Sequence, residues 1–338
     1  LDLPRARAIV RVNRNFRRAA RSFVEMPRVL IIKPSSLGDI VHGLQMARSL
    51  RAQAPAWTLD WVAAEAFAPL VRASTDVERV FVFDRHGPLG AFARLTGDIR
   101  ATAYDWALDL QGLARSALLL AAARATHKAG RADAREGARL LYPLRPALPP
   151  AGRTAHALDI LLQFLPLLGL RAEAPGPLTF RPPETPALPA ELSGRAPVVL
   201  FPDSRRPEKQ WPGFAALTAL LLAARPDLSI AWAGRTGPTP DPSWPTDRFW
   251  NLIGRTSLDE LPALLQAARL VVANDSGPMH LAAALERPVV ALFGPTDPAR
   301  FGPYPSSSPR HHLLRAPGGD LQKLDPADVL AAITKALA

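Results

Sequence analysis

Three short stretches carry residue types suited to group-transfer chemistry. In Asp275-Ser276-Gly277-Pro278-Met279-His280 the polar turn stands between a β-branched run, Arg269 to Ala273, and a helix-forming segment, Leu281 to Leu285. Strand formers before it and helix formers after it predict a strand-to-helix turn. Ser276 suits the helix N-cap, Gly277 admits a ligand close to the backbone, and Pro278 fits the first turn, where a missing N–H costs nothing. The free N–H groups and the positive end of the helix dipole then face an anion, most naturally a diphosphate, flanked by Asp275 and His280. An ordinary capped helix is the alternative reading.

The second stretch is Pro34-Ser35-Ser36-Leu37-Gly38-Asp39. Its carboxylate lies at a predicted helix start, where it can accept a proton from a hydroxyl or simply cap the helix. His42 follows at i+3 on the same face, placed to tune Asp39, to touch a second ligand, or to pack. The third is Lys209, in a loop after a strand, a point charge for phosphates or a solvated lysine.

These residues need a scaffold, and the hydrophobic pattern supplies one. Strands are expected at Arg28 to Lys33, Trp57 to Ala63, Arg79 to Phe83 and Asp105 to Leu110, with helices from Ile40 to about Leu50, near Glu65 to Ala73, and from Leu113 to Ala123. Alternation at this spacing predicts an α/β fold with a doubly wound parallel sheet, whose ligands bind at the carboxyl ends of the strands. Asp39, Asp109 and Gln111 then share one crevice. A helical segment from Thr154 to Leu170 closes this half. A Pro/Ala/Gly-rich stretch, 171–195, reads as a linker.

The pattern then restarts. Strands are expected at Pro197 to Phe201, Leu228 to Ala233, Arg269 to Ala273 and, finally, Pro288 to Phe293, with helices at Gly213 to Ala224, Ser257 to Ala267 and after Asp275. The expected division is an N-terminal extension, 1–26; a Rossmann-like domain, 27–170; the linker, 171–195; and a second Rossmann-like domain, 196–338, with a cleft between the two. The last helix, Pro326 to Leu337, is expected to pack back across the halves.

Composition narrows the function classes. The 338 residues contain no cysteine, which removes disulfides, thiolate metal sites and cysteine nucleophiles. The most apolar stretch, Ala157 to Leu170, is broken by Asp159, Gln163 and Pro166 and is too short to cross a bilayer. Of the net charge of +11, residues 1–25 hold seven arginines against Asp2 and Glu25. At 100° per residue Ile9, Val12, Phe16, Ala20 and Phe23 fall opposite Arg7, Arg11, Arg14, Arg18 and Arg21, a basic amphipathic helix. It can lie on an anionic membrane surface, dock on the protein body, or precede a natural start at Met26. The body has no basic stripe interleaved with aromatics, so nucleic acid is not the expected partner.

Five motifs stand in order: Arg28 to His42; Asp109-Leu110-Gln111-Gly112-Leu113; Lys209-Gln210-Trp211-Pro212; Asp275 to Leu281; and Gly294-Pro295-Thr296-Asp297-Pro298. Together they resemble the glycosyltransferase family 9 heptosyltransferases, from about Pro27 to the end. The resemblance implies a GT-B fold, two Rossmann-like domains about a cleft. It also implies inverting, metal-independent transfer of L-glycero-D-manno-heptose from ADP-heptose to a Kdo residue of lipid A, in lipopolysaccharide inner-core synthesis. It makes Asp39 the base and Lys209 the catalytic phosphate-binding cation. Ser204, Lys209, Asp275, Ser276, Gly277, His280, Thr296 and Asp297 become donor-binding residues. Lys33, Ser35, Ser36, His42, Gln111, Arg115 and Arg135 become candidates for an anionic glycolipid acceptor, and Arg131 belongs with them by charge. No cofactor is expected. The expected location is cytoplasmic, peripheral on the inner face of the inner membrane.

The chain contains no Asp-x-Asp pair, so the helix dipole and Lys209 are left with the electrostatic work. It departs from the family after Ala233. Gly234 to Pro242 is too rich in proline for the acidic helix and donor-contacting glutamate expected there, which leaves ribose recognition unassigned. Another nucleotide-sugar transferase, a sugar-nucleotide epimerase of the same fold, and a non-catalytic nucleotide-sugar-binding partner remain the competing readings.

Overall fold

The computed structural model describes residues 26–184 and 187–338; the expected basic helix of the N-terminal extension lies outside them. The first domain is built from β1 (Arg28–Ile32), α1 (Leu37–Gln53), β2 (Thr58–Ala64), α2 (Ala68–Ala73), β3 (Arg79–Phe83), α3 (Leu89–Arg100), β4 (Tyr104–Asp109), α4 (Ala114–Ala122), β5 (Ala125–Gly130) and α5 (Ala157–Leu162). Its five parallel strands lie in the order β3-β2-β1-β4-β5.

The second domain comprises β6 (Val198–Phe201), α6 (Phe214–Ala224), β7 (Ile230–Trp232), β8 (Phe249–Asn251), α7 (Leu261–Ala267), β9 (Leu270–Asn274), α8 (Gly277–Ala284), β10 (Val289–Phe293), α9 (Pro298–Phe301), β11 (His311–Arg315) and α10 (Pro326–Leu337). Its sheet, also parallel, runs β11-β10-β9-β6-β7-β8.

The near-continuous apolar strands follow from burial on both sheet faces. Val29 and Ile31 of β1 point into one core and Leu30 and Ile32 into another, as period-two alternation requires. In the second sheet Val271 and Ala273 share the core of Val29 and Ile31, whereas Leu270 and Val272 face α6 and α10. One core therefore runs between the two sheets. Ile40, Val41 and Leu44 of α1 and Met279, Leu281 and Ala282 of α8 are sealed within it. Each large apolar side chain buried there contributes about 1.5–3 kcal/mol. The domains meet as packed helices, with α1 lying along α8.

Three differences from the sequence reading concern the sheet edges and the last helix. Pro288 to Phe293 is not the final strand, because β11 pairs beyond it. The segments β5 and β8 also add edges that the pattern does not reveal. Edge strands meet solvent, so polar residues such as His127, Lys128, His311 and His312 break the apolar signal. Finally, α10 does not reach the first domain: Val329 and Ile333 pack into the core of α6 and the second sheet.

The linker is pinned on both sides. The Glu173 carbonyl accepts from Ser49 Oγ at 2.9 Å, and Arg181 N–H donates to the Ala73 carbonyl at 2.7 Å in the first domain. Leu178 N–H donates to the Ala284 carbonyl at the end of α8, at 2.9 Å.

Candidate active site

Asp39 is the third residue of α1, and its carboxylate turns back on the helix start. Oδ2 accepts from the Ser36 N–H at 3.2 Å and from Ser36 Oγ at 2.9 Å; Oδ1 accepts from Lys33 Nζ at 3.1 Å. The acid thus satisfies a backbone donor that the first turn leaves free, and it complements the helix dipole. Lys33 is 2% exposed, at the end of β1, whereas the Asp39 side chain is 46% exposed. Partial burial acts to raise the Asp39 pKa. The Lys33 ammonium and the Ser36 hydrogen bonds outweigh it and hold the carboxyl well below its usual range. Burial in turn lowers Lys33 from its ordinary value, against the attraction of Asp39.

The loop after β4 braces this turn. Asp109 is fully buried and accepts from the Gln111 and Gly112 N–H groups, Ser116 Oγ and Tyr142 Oη, at 2.8, 3.1, 2.8 and 2.5 Å. Burial nevertheless raises its pKa. The expected place of Asp109 on an open crevice is therefore corrected: it holds the loop, and Gln111 Oε1 reaches Ser35 N–H at 3.4 Å.

Across the junction, β9 ends in Asn274, and Asp275 follows it. Asn274 Oδ1 accepts from Trp211 N–H at 3.1 Å and its Nδ2 donates to the Pro202 carbonyl at 3.2 Å, fastening the Lys209 loop to the strand end. Lys209 Nζ then lies 2.6 Å from Asp275 Oδ2, and Thr296 Oγ1 donates to the same oxygen at 2.6 Å. Asn274 escapes notice in the sequence, where its one signal is its place before Asp275 at the carboxyl end of a strand. Ser276 occupies the N-cap of α8 without forming a side-chain cap bond. Its Oγ and His280 Nδ1 are buried without hydrogen-bond partners, and buried polar atoms of this kind are ordinarily satisfied.

Three histidines fill the junction behind these helix starts. The His42 ring stands edge-on to His280, with centroids 4.5 Å apart, and to His156 at 5.4 Å. His156 Nδ1 accepts from Leu158 N–H at 3.1 Å and Nε2 lies 3.1 Å from the Gly302 carbonyl, a pattern that fixes the Nε2–H tautomer. Burial lowers all three pKa values, that of His280 to about 4. His156, which starts α5, is unmarked in the sequence reading because a lone histidine before a helix reads as a cap.

The other expected site residues divide by exposure. Lys33 and His42 are buried, Lys33 paired with Asp39 and His42 packed against the other two histidine rings with its Nε2 unpartnered, so neither presents an exposed group to an acceptor. Arg131 is held by Asp133 at 2.6 Å, and Asp297 caps α9 by accepting from Ala299 N–H at 3.0 Å. Arg115 and Arg135 are exposed, and Ser35, Ser36 and Ser204 are half-buried. The segment Gly234 to Pro242 forms neither helix nor strand. Among the described residues no group of three or more His, Cys, Asp or Glu side chains is arranged to hold a metal ion.

The family model for Glycosyltransferase family 9 (heptosyltransferase) matches residues 92–325, more than half of the chain. The chain belongs to glycosyltransferase family 9. It is a heptosyltransferase-family enzyme with the GT-B fold. It is similar to lipopolysaccharide heptosyltransferase 1 of Pseudomonas aeruginosa, 31% identical over 306 residues that cover 82% of this chain and 81% of that protein. It is also similar to the lipopolysaccharide heptosyltransferase 1 of Escherichia coli O18:K1:H7, 29% identical over 319 residues that cover 88% of this chain and 94% of the other. Among solved structures, E. coli heptosyltransferase WaaC with ADP-2-deoxy-2-fluoro heptose superposes with a TM-score of 0.72 at 27% identity, covering 91% of this chain and 99% of that one.

Proposed function

We propose that this enzyme transfers L-glycero-D-manno-heptose from ADP-heptose to a Kdo residue of lipid A, with inversion and without a metal. The observation that carries the reading is the meeting of two helix starts. That of α1 carries a carboxylate ionised far into acid, and that of α8 carries the unpartnered Ser276 Oγ and His280 Nδ1 beside Lys209.

A carboxylate has about four acceptor positions. Asp39 uses them for Lys33 Nζ, Ser36 N–H and Ser36 Oγ, which leaves one on the half-exposed side for an acceptor hydroxyl. As that oxygen forms its bond to the anomeric carbon, its proton passes to Asp39, and the bond from that carbon to the diphosphate breaks. The pair of electrons leaves with ADP. Lys209, the N–H groups of α8 and Ser276 Oγ stabilise the developing charge, and Asp275 and Thr296 hold Lys209 in place. A base so strongly ionised matches a late proton transfer, when the attacking oxygen has become strongly acidic. Exposed Arg115, in the first turn of α4, and Arg135, in the loop after β5, suit an anionic glycolipid.

Nucleotide release from ADP-heptose, with and without Kdo-lipid A and with EDTA throughout, tests the proposal. Acceptor-dependent ADP release that survives EDTA is expected. Release from a UDP- or GDP-sugar instead would move the donor assignment, for which the irregular Gly234 to Pro242 segment leaves room. No acceptor dependence would refute transfer to this glycolipid.

A further inference from the structure

The contact between the two helix starts is reciprocal. A Cβ on Gly277 of α8 would lie 2.3 Å from Leu37 Cγ and 2.4 Å from its Cδ2, so the α1 leucine sits directly on the glycine. A Cβ on Gly38 of α1 would lie 2.7 Å from His280 Cδ2, so the α8 histidine sits on the α1 glycine. Each helix thus offers one side chain and one bare Cα to the other, within the turns that carry Asp39 and Ser276. Neither Gly277 nor Gly38 has a positive φ, so the backbone conformation would tolerate a side chain at either place. What requires glycine here is the approach of the opposite domain.

We propose that Leu37 and His280 with Gly277 and Gly38 form an interdomain clasp that sets the distance between the base and the diphosphate site. The proposal rests on the transferase reading above for its catalytic consequence, but not for the clasp itself. Leu37 and Gly38 are positioning residues acting through Asp39. The clasp belongs to a longer contact: His42 meets His280 one turn further on, and the apolar face of α1 continues along α8. The first turns are where a displacement is passed on most directly, because Asp39 is two residues from Leu37, and Ser276 adjoins Gly277. A misplacement of about 1 Å between reacting groups costs about a hundredfold in rate.

The test is a second-site rescue. Gly277→Ala pushes Leu37 away, and Leu37→Ala in the same chain makes room for the new methyl. Gly277→Ala is expected to lower acceptor-dependent turnover about a hundredfold, and the double variant to regain at least about tenfold of it. Obstruction of the diphosphate by the new methyl would not be relieved by Leu37→Ala. A double variant no better than Gly277→Ala overturns the clasp, as does Gly277→Ala with wild-type turnover.

A substrate-free readout separates this inference from the identity of donor and acceptor. The chain has no cysteine, so Arg94→Cys and Lys335→Cys, one exposed position in each domain, accept a dye pair. Single-molecule energy transfer should shift or broaden with Gly277→Ala and return towards wild type in the double variant. An unchanged distribution in all three proteins overturns the clasp, whatever sugar is transferred. If Gly277→Ala fails to fold, recovery of a folded, clasped distribution in the double variant still supports the contact, and failure of both overturns it.

Discussion

His280→Gln removes one titrating group from the domain junction, and the change should be read as a slope of stability against pH. In the folded chain burial holds His280 at about 4 against an ordinary 6.5. Asp275 and Asp39 favour its proton, while His156 and Lys209 oppose it. Between those two pH values the unfolded chain binds more protons than the folded one, so stability rises with pH. The contribution is fully present above the unfolded value and declines as pH falls through the window. The difference of about 2.5 units corresponds to about 3 kcal/mol.

His42 and His156, also lowered by burial, act in the same direction, while Asp109, raised by burial, opposes them at the acid end. The comparison of two proteins cancels these shared contributions as far as the sites act independently. Urea unfolding from neutral pH down to about 4 should show wild type losing stability, and His280→Gln losing about 3 kcal/mol less over that interval. The level of each curve reflects packing; the difference in slope reflects the proton. Parallel curves, or a wild-type curve that stays flat through the window, would refute a neutral buried imidazole at this place.

Two further predictions concern the base. Asp39→Asn keeps the shape and an acceptor for Lys33, and should lose at least about a hundredfold in turnover while ADP affinity, measured by calorimetry, stays close to wild type. Retained turnover would remove Asp39 from the proton transfer. Lys33→Met withdraws the ammonium 3.1 Å from Asp39, so the acid limb of the pH profile for turnover should move to higher pH. Its stability should change little, because a buried charge is exchanged for an apolar side chain of similar length while Asp39 keeps access to water. An unmoved acid limb would show that Lys33 does not tune the base.

Central strands and the apolar edge strand β3 were legible in the sequence and the other three edges were not, for one physical reason. Where both faces of a strand are covered, as in β1, β6, β9 and β10, the run is apolar except for Arg28 and Asn274 at strand ends, and it stands out. The edge strands β5, β8 and β11 carry His127, Asn251 and His312 on exposed or half-exposed positions, and no periodic signal survives. The strand-turn-helix units holding Asp39 and Ser276 were therefore placed correctly, and the last strand was not. Lys33 and Asp109 were misplaced for a related reason. Charge at a strand end reads as exposure, whereas here Asp39 partners the lysine, and Ser116 and Tyr142 help satisfy the buried aspartate.

The two readings of Asp39, helix cap and base, were indistinguishable in the sequence because both call for the same residue at the same place. The geometry makes them compatible. Ser36 engages one carboxylate oxygen, Lys33 engages the other, and the side chain remains half-exposed. The cap is what gives the base its direction: an acid free to rotate pays for each productive orientation in side-chain entropy, whereas one already hydrogen-bonded to the N-terminus of its helix does not. What the cap cannot set is the distance to the leaving group, since that lies in another domain. This distance depends on Leu37 and Gly38, the two residues between Ser36 and Asp39, and on the glycine and histidine they meet on α8. The four residues from Ser36 to Asp39 thus contain the base, the groups that ionise and orient it apart from Lys33, and half of the contact that brings the second domain to it.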